Sequence, residues 1–199
     1  MGGKLLLATN NHDKVREYRS LLVGLPYDLV TPSDVGITTR VEEVGKSLEE
    51  NARLKATVLA GQSRLVALAD DSGLEVDALG GEPGPLSARY AGEGASDSQR
   101  IDYLLSRLEA VPQGKRTARF RCVIAIATPG GKVETVSGER SGIIAFEPRG
   151  EGGFGYDPIF YLPELDKTMA ELSPEVKNRV SHRGEAARKA RQVLERLIV

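Results

Sequence analysis

Two adjacent carboxylates, Asp70 and Asp71, follow the apolar run of residues 65–69 and precede Ser72 and Gly73. The run reads as a strand ending on the acids, and the carboxyl end of a buried strand is where α/β sheets place their sites. Neighbouring acids repel unless a cation or hydrogen bonds hold them, so the pair asks for partners. The plain alternative is a turn in which both acids face water, because Asp-Ser-Gly clusters are common turn formers. Glu42 and Glu43 form a second acidic pair in the loop before residue 47. Alone they read as solvated surface. Beside Asp71 they would supply the hard oxygen ligands that Mg²⁺ prefers, with phosphates and water completing the octahedron.

Basic and polar groups stand at matching places. Thr9, Asn10, Asn11, His12, Asp13 and Lys14 join the first apolar run to the first helical pattern. Hydroxyl, amide and ammonium groups at a helix start make a phosphate cradle, and equally a polar turn with a good N-terminal residue. Lys55 follows Asn51 by one helical turn, so both project from one face, ordinarily a wet one. Further on, Gly152-Gly153-Phe154-Gly155-Tyr156-Asp157-Pro158 joins flexible backbone to two aromatics and an acid. Lys177-Asn178-Arg179-Val180-Ser181-His182-Arg183 then sets three cations and an imidazole within seven positions. An aromatic face suits a base ring, and Lys, His and Arg offer donors to carbonyls on its edge. Taken singly, the first is a loop with buried aromatics and the second a basic helix end.

Other chemistries fail their context. Gly150-Glu151-Gly152-Gly153-Phe154-Gly155 satisfies G-x-G-x-x-G but leads into Tyr156-Asp157-Pro158 rather than a helix, so it is no dinucleotide loop. Gly45-Lys46-Ser47 matches the tail of a phosphate-binding P-loop, yet Arg40 holds the position of its first glycine and no strand precedes it. One cysteine and two histidines, His12 and His182, make no zinc set. Cys122, inside an apolar run, reads as a buried structural thiol rather than a nucleophile.

The elements that must position these residues follow from periodicity. Residues 5–8 read as a buried strand, residues 13–25 as a helix, and residues 29–30 as a second strand. Ser47-Leu48-Glu49-Glu50 reads as a capping box opening a helix to about residue 60, closed by Gly61. Ser96 with Gln99 caps another, carried by Ile101, Leu104, Leu105 and Leu108. Residues 122–127 and 132–144 form a long hairpin around Pro129-Gly130-Gly131. An Arg/Lys-studded helix covers residues 185–197. Early alternation of strands and helices followed by a hairpin predicts an α/β fold with a mixed sheet. No linker-like stretch divides residues 1–199, so a single domain is expected, with any two lobes sharing the sheet.

Composition sets the outer bounds. The chain has 199 residues, 40% hydrophobic and 28% charged, enough to build its own core without staples. Lys and Arg number 27 against 28 Asp and Glu, a net charge of -1, which argues against a general nucleic-acid binder. No apolar run reaches the ~18 residues of a membrane span. Leu6 at position 6 breaks the myristoylation pattern that Gly2 would open. The expected setting is cytoplasmic.

Taken together, the segments resemble the inosine triphosphate pyrophosphatase family. The matching residues are Thr9-x-Asn11-x-x-Lys14, Glu50-Asn51-Ala52-x-x-Lys55-Ala56 and Ala69-Asp70-Asp71-Ser72-Gly73-Leu74. Pro83-Gly84-x-x-Ser87-Ala88-Arg89-Tyr90, Phe154-Gly155-Tyr156-Asp157-Pro158-x-Phe160 and Ser181-His182-Arg183-Gly184 complete the set, in the family's order from residue 9 to residue 184. The resemblance implies a long central mixed β-sheet flanked by helices, two lobes with the active-site cleft between them, and a homodimer. It implies Mg²⁺-dependent hydrolysis of ITP, dITP or XTP to the monophosphate and pyrophosphate. Asp71 then resembles the general base or metal-bound carboxylate, with Glu42 (or Glu43) as the second metal ligand and Asp70 in support. Thr9, Asn10, Asn11, His12, Asp13, Lys14 and Lys55 resemble the triphosphate contacts. Ser72, Phe154, Gly155, Tyr156, Asp157, Lys177, His182 and Arg183 resemble the nucleoside pocket. The other readings are a nucleotide pyrophosphatase with another base preference, for a modified pyrimidine or methylated guanine, and a nucleotide-binding module with a dead site.

Overall fold

A computed structural model describes residues 3–43 and 45–197; Gly2, weighed above for acylation, lies outside them. Seven strands form one mixed sheet: β1 (Lys4–Leu7), β2 (Asp28–Val30), β3 (Val66–Val76), β4 (Thr117–Ala127), β5 (Val133–Ile144), β6 (Phe160–Leu162) and β7 (Lys167–Thr168). Their order is β2-β1-β3-β4-β5-β6-β7. β1 runs parallel to β2 and β3, with Leu5 opposite both Leu29 and Val66. β6 is antiparallel to β5 and β7. Among the described residues five α-helices accompany the sheet: α1 (His12–Leu21), α2 (Leu48–Ser63), α3 (Asp97–Arg107), α4 (Pro174–Val180) and α5 (His182–Arg196).

The chain divides into two compact units. The first holds Met1–Asp71, Cys122–Gly138 and Arg183–Val199; the second holds Ser72–Arg121 and Glu139–His182. In the first unit, strand side chains alternate between two cores, as the two-residue period of a pleated strand requires. Leu5, Leu7, Leu68, Cys122, Ile124 and Ile126 pack with Tyr18 and Leu22 of α1 and Ala186, Ala190 and Leu194 of α5. Leu6, Ala8, Ala67, Ala69, Val123 and Ala125 face the other way, against Leu48, Ala52, Ala56 and Leu59 of α2. The second unit has one core, built on Leu74, Val76, Leu104, Phe120, Ile144, Phe160 and Met169.

Four expectations are corrected. α1 ends at Leu21 rather than residue 25, with the Leu22 N–H bonded back to the Tyr18 carbonyl. α2 passes through Gly61 and stops only at Arg64, which closes the helix in the left-handed region at φ 58°. Its capping box is only half made. The Ser47 hydroxyl accepts from the Glu50 N–H, but the Glu50 carboxylate takes the Lys46 N–H at 2.7 Å. The largest difference is at β3. The strand does not end on Asp70 but carries both acids in mid-strand to Val76. The box of Ser96 and Gln99 at the start of α3 forms in full.

Candidate active site

Consecutive residues of a strand point to opposite faces, so Asp70 and Asp71 meet different partners despite being neighbours. Asp70 shares the face of Leu68, toward α1 and α5. There its Oδ1 pairs with Lys14 Nζ at 3.0 Å and its Oδ2 with Arg183 Nε at 3.3 Å. Arg183 is buried and reaches on to Glu17 Oε2 at 2.8 Å. Asp71 shares the face of Ala67 and Ala69, toward α2. Lys55 Nζ donates to Asp71 Oδ1 at 3.3 Å, to the Asp70 carbonyl at 2.7 Å and to Glu43 Oε1 at 2.6 Å. Asn51 Nδ2 donates to Asp71 Oδ2 at 3.0 Å.

These surroundings push the two carboxyls apart. Burial alone would raise Asp70, but Lys14, Arg183 and Lys55 overcome it and hold the group well below the usual carboxylate range. Burial raises Asp71, and Glu43 adds to the rise while Lys55, Lys14 and the Asn51 hydrogen bond oppose it. Lys55 loses charge stability by burial and regains more from Asp71, Glu43 and Asp70, so its ammonium is held above its ordinary value. Paired carboxylates separated in this way are the usual mark of an acid–base site.

Asp70 therefore also carries stability. A carboxyl lowered in the folded state contributes fully above the range where aspartates ordinarily titrate, near 3.9, and loses that contribution as pH falls below it. Asp70→Asn, which strands Arg183 and Lys14, should cost about 3–5 kcal/mol in urea unfolding at pH 7. The gap to the wild type should narrow as the pH is taken below about 4. A gap of constant size down to pH 3 would mean that Asp70 is not depressed.

The turn from Thr9 to Lys14 is organised by its own side chains. Asn11 Oδ1 accepts the N–H groups of Asp13 and Lys14, and the Asn11 N–H donates to Thr9 Oγ1 at 3.1 Å. Asp13 pairs with Arg16 at 2.6 Å, facing the start of α1 rather than Asp70. Asn10 and His12 are exposed at the turn. Of the segment, the structure brings Lys14 to the aspartates. Of the acidic pair it brings Glu43, while Glu42 is exposed; Glu43, the open alternative, is the one that shares Lys55 with Asp71.

The second unit assembles the aromatic segment. Asp157 Oδ2 accepts the Phe154 N–H at 2.9 Å and pairs with Lys177 Nζ at 2.6 Å. The Lys177 ammonium lies 4.8 Å from the centre of the Phe154 ring. Gly153 must be glycine, since its φ is +72° and a Cβ would strike the Asp157 carboxylate. The Gly155 N–H donates to Asp97 Oδ2 at 2.6 Å, and the Tyr156 hydroxyl to the Ser87 carbonyl at 3.0 Å. His182 is 3% exposed and stacks on Phe120, ring centres 4.6 Å apart and planes within 15°. Ser72 opens this unit's share of β3, half-buried. Arg183, grouped with the nucleoside pocket above, instead bonds to Asp70 and Glu17 in the first unit.

Sequence reasoning did not single out Glu17, Phe120, Asp97 or, as a site residue, Asn51. Asn51 had a signal in its place within Glu50-Asn51-Ala52. Phe120 and Asp97 had none, being an apolar strand residue and an acidic first-turn residue of ordinary kind.

A mixed-sheet α/β protein with two carboxylates on successive strand residues, each bound to its own lysine, is the class that fold and site define. The chain belongs to the Ham1 family, whose model matches residues 5–193. Among its relatives, a dITP/XTP pyrophosphatase of Desulforamulus reducens is 53% identical over 196 residues, covering 98% of each chain. One of Geobacter sulfurreducens is 56% identical over 183 residues, 92% of each. Of solved structures, a HAM1 protein from Coxiella burnetii superposes with a TM-score of 0.88 at 42% identity, covering 98% of this chain and 100% of that one. The Staphylococcus aureus Ham1 protein gives 0.86 at 44% identity, covering 96% and 98%.

Proposed function

We propose that the chain hydrolyses deaminated purine nucleoside triphosphates (ITP, dITP and XTP) to the monophosphate and pyrophosphate, removing them from the nucleotide pool. The observation that carries this is the pair Asp70–Lys14 and Asp71–Lys55, buried carboxylates with ammonium partners, in a chain whose relatives are named dITP/XTP pyrophosphatases. Water attacks the α-phosphorus, the bond from that phosphorus to the bridging oxygen breaks, and pyrophosphate leaves. Asp71, its carboxyl raised by burial, accepts the proton from the attacking water. Lys14 and Lys55 set cations against the triphosphate, where transfer requires mostly positioning and charge neutralisation. Thr9, Asn10, Asn11, His12 and Asp13 shape the turn that presents Lys14.

The donor set fits a hard divalent cation. Glu43 and Asp71 bring carboxylate oxygens to one ammonium. Few protein ligands with water and phosphate completing the shell suits Mg²⁺. When bound, the ion neutralises phosphate charge and polarises the phosphoryl oxygen. Among the described residues no helix is long and apolar enough to cross a membrane. A cytoplasmic homodimer completes the proposal.

The second-unit residues suit the base. Hypoxanthine and xanthine carry an acceptor oxygen at C6 where adenine carries an amino group. Donors on His182 and Lys177 would be left unmatched opposite adenine, and unmatched buried donors discriminate strongly. His182→Ala should therefore lower kcat/KM for ITP about ten- to hundredfold more than for ATP. Lys14→Ala should lower both alike, because the phosphates are common. Equal losses on ITP and ATP in His182→Ala would remove the histidine from base recognition.

A further inference from the structure

Two side chains of α2, Lys55 and Asn51, join the acidic loop to the strand that carries Asp71. Asn51 sits on α2, fully buried, and both ends of its amide are engaged. Nδ2 donates to Asp71 Oδ2 at 3.0 Å, and Oδ1 accepts the Gly45 N–H at 2.8 Å. Gly45 lies two residues after Glu43. A side-chain amide offers a donor and an acceptor side by side in this way, whereas an ionised carboxylate of the same shape offers acceptors alone. Gly45 is fitted to the amide as well. A Cβ there would stand 2.5 Å from Asn51 Oδ1 and 2.8 Å from Glu50 Cβ, so the close approach requires glycine. The preceding α2 residue, Glu50, takes the Lys46 N–H, and Lys55, one turn on, bonds to both Glu43 and Asp71.

We infer that Asn51 is a positioning residue that registers the Glu42–Glu43 loop against Asp71, and that this registry sets kcat and the divalent-cation affinity. The inference rests on the reading of Asp71 as the acting carboxylate. A buried amide that merely filled the core would need no tie to the loop carrying the second acid. Residues that orient metal-binding carboxylates from behind typically control affinity or activity by about 10–100-fold.

Two variants break the bridge at opposite ends. Asn51→Asp keeps the acceptor for Gly45 and replaces the donor to Asp71 with a like-charged oxygen. Gly45→Ala leaves the Asp71 end chemically intact and pushes the loop off the amide. Both should lower kcat on ITP by about ten- to hundredfold with KM moved less than about threefold, since the lysines remain. Both should also weaken Mn²⁺ binding by about tenfold or more in electron paramagnetic resonance titrations without nucleotide. Thermal unfolding of each variant shows whether it is folded, and Asn51→Asp decides alone if Gly45→Ala does not fold. Pairing Asn51→Asp with Asp71→Asn restores a donor facing an acceptor and should recover the melting temperature lost in Asn51→Asp. Wild-type kcat and Mn²⁺ affinity in a folded Asn51→Asp overturn the inference. So does a loss expressed equally in KM. An inactive Asp71→Asn beside a fully active Asn51→Asp would sink this inference alone, whereas an active Asp71→Asn would sink the underlying assignment.

Discussion

Asp71→Asn should abolish nearly all turnover and leave the fold in place. The amide has the shape of the carboxylate, so its carbonyl oxygen still accepts from Asn51, and Lys55 keeps Glu43 and the Asp70 carbonyl. Removing a buried charge whose neighbours include Glu43 relieves part of a desolvation penalty, which favours a folded variant. On the proposed assignment, what is lost is the proton acceptor and a hard oxygen ligand. Loss of a general base typically costs about 10²–10⁴-fold in rate. The checks are steady-state pyrophosphate release from ITP and thermal unfolding on the same preparation. Retention of more than about a tenth of the wild-type rate would place the base elsewhere.

The same substitution at Asp70 should behave differently, and the reason is the pleat of β3. Asp70 falls on the side of Leu68, α1 and α5, where Lys14 and Arg183 hold it ionised. Asp71 falls on the side of Ala67 and α2, where burial and Glu43 raise it. Adjacency in sequence thus yields one acid suited to structure and charge balance and one suited to proton transfer. The difference in surroundings follows from the two-residue period of the strand.

Much of this was legible in the sequence because it depends on local chemistry. The continuous apolar run of β1, the Ser96–Gln99 box and the Asp70–Asp71 pair all announced themselves. The continuation of β3 did not, since Asp-Asp-Ser-Gly is turn-forming by itself, yet here it runs as strand between β1 and β4. Gly61 looked like a helix stop, yet packing around Leu59 and Ala60 carries α2 onward to Arg64. The burial of Asn51 and Lys55 was hidden as well. The alanines at 52, 56 and 60 make that helix face too thin in apolar side chains to reveal which way it points, though small residues are what let the helix approach the sheet. Which of Glu42 and Glu43 reaches Lys55 is a distance between segments that no spacing encodes. The partners of Arg183 were hidden for a related reason. It sits beside His182 in the chain, but the first turn of α5 sends its guanidinium to Asp70 and Glu17.

The second large effect is selectivity among whole substrates. A site built to hydrogen-bond a C6 oxygen can reject an analogue that lacks it by about 10⁴–10⁵-fold, because its buried donors are then unmatched. The most direct test incubates the wild-type protein and Mg²⁺ with ITP, XTP, ATP, GTP, dUTP and methylated GTP in ¹⁸O-labelled water, resolving products by mass spectrometry. The account predicts IMP and XMP in equal amounts with pyrophosphate, the label in the monophosphate, ITP and XTP consumed at least about a hundredfold faster than ATP, whose amino group leaves the C6 donors unmatched, and faster than dUTP and methylated GTP. Release of inosine diphosphate with inorganic phosphate, label in pyrophosphate, or comparable rates on ATP or dUTP would contradict it.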